Sequence, residues 1–245
     1  FSKDNIFYLD NENNIFKISK KGNIRIRVRS KKNLNNLAYS IVGIPLGYFF
    51  LLKGYYVNHS SIVEKNGTAI SFLGHSSTGK SSISNFLMEK KFKFIGEDLC
   101  IIKRKNIINK NSDWLKLSKE MINISSNNYL SSNLIKEDER KRFICKIKKR
   151  FLHKGESKIK LCYVPVWSDN TKVSKLDLGE AFKFIFANSY RPLNSENSKL
   201  EQNTLNQISE FIENVECFKF ERKKDLKFFK DSNDFLLKHI EKNIQ

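Results

Sequence analysis

Apolar and polar positions alternate in short blocks over the first thirty residues. Ile6-Phe7-Tyr8-Leu9 and Ile15-Phe16-Lys17-Ile18 are separated by the polar run Asp10-Asn11-Glu12-Asn13, and Lys21-Gly22-Asn23 reads as a turn. Residues 24–29 then alternate strictly between apolar and charged, as a strand with one wet face should. Three short strands are predicted here. The period changes further on: Leu34, Leu37, Ala38, Ile41 and Val42 recur at three- and four-residue spacing, which predicts a helix from about Asn33 towards Pro45 or beyond. Strand character returns at Tyr55-Tyr56-Val57 and Ser61-Ile62-Val63, followed by a turn at Lys65-Asn66-Gly67 and the apolar run of residues 69–73. A helix fits residues 80–90, with Ile83, Phe86 and Leu87 on one face. Residues 92–95 and 99–102 read as strands flanking the acidic pair Glu97-Asp98.

Beyond Lys103 the periodicity weakens. Residues 122–133 are rich in Ser and Asn and read as loop. Residues 136–160 are densely charged, and strongly basic over 146–150, which suits either a solvated surface or a site for a phosphate-bearing or acidic partner. A strand is predicted over 160–167, then a helix over 177–188 with Leu178, Ala181, Phe182 and Ile185 inward. A further helix near 204–215, a strand near 216–220 and a closing helix over 231–241 complete the chain. There is no internal repeat. Strands alternating with helices argue for an α/β layered domain.

Composition narrows the classes. A chain of 245 residues suits one sizeable domain, or one with a small appendage, and 40% hydrophobic with 29% charged residues is globular. The 45 Lys and Arg against 26 Asp and Glu give a formal charge of +19. Such a charge suits nucleic acid, an anionic membrane surface or a phosphorylated ligand. The abundance of Asn, Ile and Lys explains part of it as compositional bias, and no nucleic-acid motif accompanies it. No run approaches the ~18 apolar residues of a spanning helix, and no signal-peptide pattern opens the sequence. The most apolar stretch, residues 41–52, is broken by Gly43, Pro45 and Gly47. Cys100, Cys145, Cys162 and Cys217 lie far apart with no C-x-x-C, which speaks against a zinc cluster or a disulfide framework and for a reduced, cytoplasmic protein.

One segment carries recognisable chemistry. Gly74-His75-Ser76-Ser77-Thr78-Gly79-Lys80-Ser81 satisfies G-x-x-x-x-G-K-[ST] at every constrained position, between an apolar strand and an amphipathic helix. The glycines let the backbone wrap its N–H groups around a phosphate, to which the new helix adds its positive end. Lys80 is placed for β- and γ-phosphate oxygens, Ser81 for Mg²⁺, and Ser82 extends the contact into the helix. Glu97-Asp98 follows Lys80 by the length of one β-α-β return. Asp98 is then placed to bind Mg²⁺ and Glu97 to take a proton from an attacking hydroxyl. His59, just before the strand of the loop, is on spacing alone either a packed bystander or a proton carrier. His75 lies in the loop, where it shapes the turn or touches nucleotide.

These residues resemble a family. The stretch 52–63, the glycine-rich loop, and Phe94-Ile95-Gly96-Glu97-Asp98-Leu99-Cys100-Ile101-Ile102 are similar to the HPr kinase-like P-loop proteins, which include HPr serine kinase/phosphorylase and shorter relatives resembling lasso-peptide serine kinases. Weaker similarity to the short relatives continues at residues 114–117, 160–167 and 178–192. The resemblance implies a P-loop kinase fold akin to the HPr kinase catalytic domain and the nucleotide-binding region of phosphoenolpyruvate carboxykinase. It implies residues 33–245 as the catalytic domain, with a small β segment, residues 1–32, packed on its core. It further implies Mg-ATP as donor and a catalytic role for His59. The family pair is usually Asp-Asp, so Glu97 departs from it, and the Gly-rich, Arg-containing signature of true HPr kinase is missing. Arg191 and Lys116 are the basic residues outside the loop best suited to offset charge on a transferring phosphoryl group. The leading expectation is a kinase acting on a hydroxyl, foremost a serine of a peptide or protein. A small-molecule hydroxyl kinase and a non-catalytic nucleotide-binding regulator are the alternatives, and a homo-oligomer remains open.

Overall fold

In the computed structural model, residues 6–10, 14–19, 21–29, 41–124, 126–135, 138–190 and 198–244 are described. Strands β1 (Ile6–Asp10), β2 (Asn14–Ser19) and β3 (Ile24–Val28) form an antiparallel sheet in that order. Phe16 and Ile18 of β2 are buried with Tyr48, Leu51 and Leu52 of helix α1 (Ile44–Leu52). Pro45 opens this helix and does not end it, because its missing N–H falls in the first turn, where no intrahelical partner exists. The rest of the helix expected there, residues 33–40, lies outside the described residues.

The central sheet begins with β4 (Tyr56–Asn58), β5 (Ser60–Lys65) and β6 (Thr68–Leu73), then helix α2 (Lys80–Glu89), β7 (Lys93–Glu97), β8 (Cys100–Lys103) and β9 (Ile107–Asn109). A second small sheet contains β10 (Trp114–Leu117), then, after helix α3 (Lys119–Ile124), β11 (Tyr129–Leu134) and β12 (Phe143–Ile147). The chain returns to the central sheet with β13 (Glu156–Trp167) and β14 (Lys172–Lys175), crosses helices α4 (Leu178–Asn188) and α5 (Ser198–Asn214), and ends with β15 (Glu216–Arg222) and α6 (Phe229–Asn243).

β5 and β6 form a hairpin closed by Asn66 and Gly67, whose φ of 54° and 77° match the turn that suits two twisted strands. The Glu64 carboxylate accepts from the Gly67 N–H at 2.6 Å. β7 pairs antiparallel with the outer edge of β5, while β13 pairs parallel with β6 and β15. Strands β6, β7, β13 and β15 therefore run one way, and β5 runs against them. Every residue of β6 is buried because both faces are covered. Ile70 and Phe72 pack with α2 and α6, whereas Ala69 and Leu73 pack with α4 and α5. The result is a mixed α/β architecture with a central mixed sheet between helices.

The Ser/Asn-rich stretch expected as loop is instead the end of α3, a single 3-10 turn and β11. Its polar residues face water: Ser131, Ser132 and Asn133 are exposed along β11 while Tyr129 is buried. Residues 130–134 are exposed on both faces of the strand, which is what made it look like loop. The basic run at 146–150 spans the end of β12 and a 3-10 turn, and it lines neither of the two clefts at the edge of the sheet where β6 and β7 end.

Candidate active site

Strand direction gathers the chemistry. β6 and β7 end at the same edge of the sheet, and β5, running against both, begins there: Ser60 pairs with Leu73 and Ser61 with Glu97. His59, the loop after Leu73 and the Glu97-Asp98 pair are thereby brought to one place. In open α/β sheets this carboxyl edge is where ligands bind.

The loop between β6 and α2 holds positive φ at Gly74 (156°), Ser77 (69°) and Gly79 (87°). Gly79 precedes the helix with no side-chain cap, so the first N–H groups of α2 keep their hydrogen-bonding capacity for a ligand. Lys80, 6% exposed, donates from Nζ to the Gly74 and His75 carbonyls at 2.6 and 3.0 Å. Burial lowers its pKa to about 8, against the pull of Glu97 and Asp98. The Thr78 hydroxyl closes the loop on the His75 carbonyl at 2.9 Å. His75, Ser76 and Ser77 are exposed, and Ser81 and Ser82 are half-buried in the first turn of α2.

The two carboxylates part ways. Glu97, 4% exposed, accepts from the Ser81 hydroxyl at one oxygen and from the Lys116 N–H at the other, the latter at 3.0 Å. Burial, with the neighbouring Asp98 charge, pushes its pKa up to about 8. Asp98 follows with a φ of 64°, which turns it away from its neighbour's partners. Its oxygens meet the Lys116 ammonium and, at 3.4 Å, Nε2 of His59. Burial works against the Asp98 charge, but the His59 hydrogen bond and Lys116 outweigh it and hold the carboxyl well below the usual range. Spacing grouped Ser81 with Asp98; the structure brings Ser81 to Glu97, and Asp98 to His59 and Lys116.

Two clefts open onto these groups. One of about 300 Å³ runs along Ser77, Lys80, Ser81 and Glu97 to Trp167 and Arg222. The other, about 790 Å³, lies beside His59 and Asp98 with walls from Trp114, Ile144 and Tyr190. Arg191 lies outside the described residues. Sequence reasoning missed Arg140, Arg142, Trp167 and Arg222. Arg140 donates to the hydroxyls of Ser76 and Ser77, the second at 2.9 Å, and Arg142 lines both clefts. Among the described residues, no group of three or more His, Cys, Asp or Glu side chains converges as a ready-made metal site.

No model of a known family matches the chain, and no curated protein matches it. Among solved structures it is similar to the Hpr(Ser) kinase/phosphatase from Coxiella burnetii. The identity is 11% and the TM-score 0.37, over 77% of this chain and 99% of that one.

Proposed function

We propose that the chain is a phosphotransferase that takes the γ-phosphate of ATP, with magnesium, to a hydroxyl acceptor, foremost a serine of a peptide or protein. The observation that carries this reading is the pair of carboxylates at one sheet edge: Glu97 on the Ser81 hydroxyl, and Asp98 on His59 at the larger cleft. The site fits a metal–nucleotide. Its loop holds backbone conformations that suit glycine, a buried lysine is hydrogen-bonded to loop carbonyls that a phosphate can replace, and a serine hydroxyl lies on a carboxylate. When bound, Mg-ATP supplies an activated phosphoryl group whose charge the metal partly offsets.

In this reading the amides of residues 74–79, Lys80, Ser81 and Ser82 hold the phosphate chain, and Ser81 with Glu97 would hold the ion. His59 and Asp98 orient the acceptor hydroxyl and take up its proton. This exchanges the roles that spacing suggested for the two carboxylates. Lys116 restrains Asp98, and Arg191 stays a candidate for phosphoryl charge on the resemblance alone. A small-molecule acceptor is the second reading, supported by the size of the larger cleft, since about 790 Å³ lies within the range of small-molecule sites.

Calorimetric titration of wild-type protein and Lys80→Ala with Mg-ATP tests the donor site. Most of the affinity should be lost in the variant, and unchanged binding would overturn the assignment. Labelled ATP offered with free serine, small hydroxyl compounds and a peptide library separates the acceptors by where the label goes. Binding without any transfer would favour a regulator.

A further inference from the structure

Arg222 ends β15 and is 2% exposed, yet no carboxylate contacts it among the described residues. Its guanidinium lies 4.5 Å from the Trp167 ring centroid and 5.9 Å from those of Phe220 and Phe229. Nε is buried with no hydrogen-bond partner, and Nη2 donates to the carbonyl of Thr78 at 3.0 Å. Burial alone lowers the pKa of this side chain to about 10. A buried cation without a counter-anion is costly, and ring faces offset only part of that cost. Stability does not explain its presence; the one hydrogen bond its guanidinium makes among the described residues does point to a role.

That bond ends on the peptide between Thr78 and Gly79, inside the glycine-rich loop. The described peptide bonds are all trans, so the C=O and N–H of this plane point in opposite directions. Pulling the Thr78 oxygen towards Arg222 turns the Gly79 N–H away from it. The packing is close: a Cβ on Gly79 would collide with Nη2 unless the guanidinium moved off the loop, and the φ of 87° already favours glycine there.

We propose that Arg222 is a positioning residue: by holding the Thr78 carbonyl it presets the Gly79 N–H as a donor to the phosphate chain of a nucleotide. The proposal rests on the nucleotide reading above. The cation also lies beside the cleft that the loop lines, so a bound polyphosphate supplies the negative charge that the protein withholds.

The test uses the whole chain as wild type, Arg222→Met and Arg222→Lys, each titrated with Mg-ATP by calorimetry. The ¹H–¹⁵N resonance of Gly79 is followed in parallel, and melting is measured without ligand. Met keeps the apolar packing and removes the donor. Arg222→Met should melt at or above the wild-type temperature, since a buried unpaired charge is gone. It should bind ATP roughly tenfold to hundredfold more weakly, the scale of one charge-assisted hydrogen bond, and lose the Gly79 response. Lysine, which can still donate to Thr78, should restore most of the affinity and carries the test if the Met variant does not fold. Wild-type affinity in Arg222→Met would overturn the proposal and leave the nucleotide reading standing. Melting several degrees lower in both variants, with an intact Gly79 response, would make Arg222 a structural prop and also overturn it. A wild-type chain that binds no ATP would overturn both.

Discussion

Two histidines in this chain sit beside carboxylates, His59 with Asp98 at 3.4 Å and His153 with Glu64 at 3.2 Å. The second pair has the better relay: Ser157 Oγ lies 3.1 Å from Nε2 of His153, giving a Ser–His–Glu chain of the kind that activates nucleophiles. It has no access. His153 and Glu64 side chains are each 11% exposed, Ser157 is buried in β13, and none of the three lines any of the clefts described here. Glu64 also caps the hairpin turn through Gly67. The His59 side chain is 34% exposed, opens on both clefts and shares its carboxylate with Lys116. Similar atoms are thus sealed at one place and open at the other, and what separates them is solvent access and a neighbouring glycine-rich loop.

The largest expected effect is at the open pair. His59→Ala should lower phosphoryl transfer about 10²-fold, the scale of losing a general base, with ATP affinity held within about tenfold. Initial rates with an identified acceptor, or the slow hydrolysis of ATP by water, measure this. Full activity would remove the chemical half of the comparison. At the sealed pair the effect should fall on stability. His153→Ala leaves Glu64 and Ser157 without their shared partner, a loss of about 2 kcal/mol, or roughly 5 °C in melting temperature for a chain of this size. Turnover per folded molecule should not change, and a fall in turnover without a fall in melting temperature would reverse the assignment.

Glu97 sharpens the picture through pH. Its pKa rises from an ordinary 4.5 to about 8, so between those values the folded chain holds a proton that the unfolded chain has released. Stability from this group therefore falls as pH rises through that window. Asp98 acts oppositely: its depressed pKa stabilises the fold above the ordinary carboxylate value, and that contribution is lost as acid protonates it. Glu97→Gln removes the first slope, so its melting temperature relative to wild type should be higher at pH 8 than at pH 5, by several degrees. Equal offsets at both pH values would refute the buried-proton account. The smallest effect belongs to Arg140→Ala. Among the described residues the guanidinium of this exposed arginine is hydrogen-bonded to loop hydroxyls alone, and its loss should weaken ATP binding about twofold to fivefold, less at high salt.

Residues 74–81, the hairpin before them and the acidic pair after α2 were legible because each is set by local rules: a glycine-loop spacing, a two-residue turn and an apolar run. What sequence could not reveal is set at long range. Nothing in residues 60–65 states that β5 lies between β6 and β7, yet that placement brings His59 to the loop. Arg140 and Arg142 reach the site only because β10, β11 and β12 pair into a sheet beside it, and β11 disguises itself with exposed Ser and Asn; the same pairing carries Lys116, which the sequence did single out, onto Asp98. The different partners of Glu97 and Asp98 follow from one positive φ at Asp98, a backbone choice invisible to residue spacing. Arg222 lies 142 residues beyond Lys80 in the chain and meets the loop through parallel pairing of β15 with β13 and of β13 with β6.

The Asn66-Gly67 turn works as a ruler. It stands at the far end of the hairpin from the site, yet the pairing it starts, Lys65 with Thr68, determines five residues later that Ser60 faces Leu73. The offset between His59 and the loop is therefore written at the turn. Lengthening one arm by a single residue would reverse which faces its side chains occupy, and a two-residue slip would slide one arm by about 7 Å at the strand rise. A small edit at a surface bend, touching no residue of the site, would put the histidine out of step with the glycine-rich loop while leaving each local motif readable.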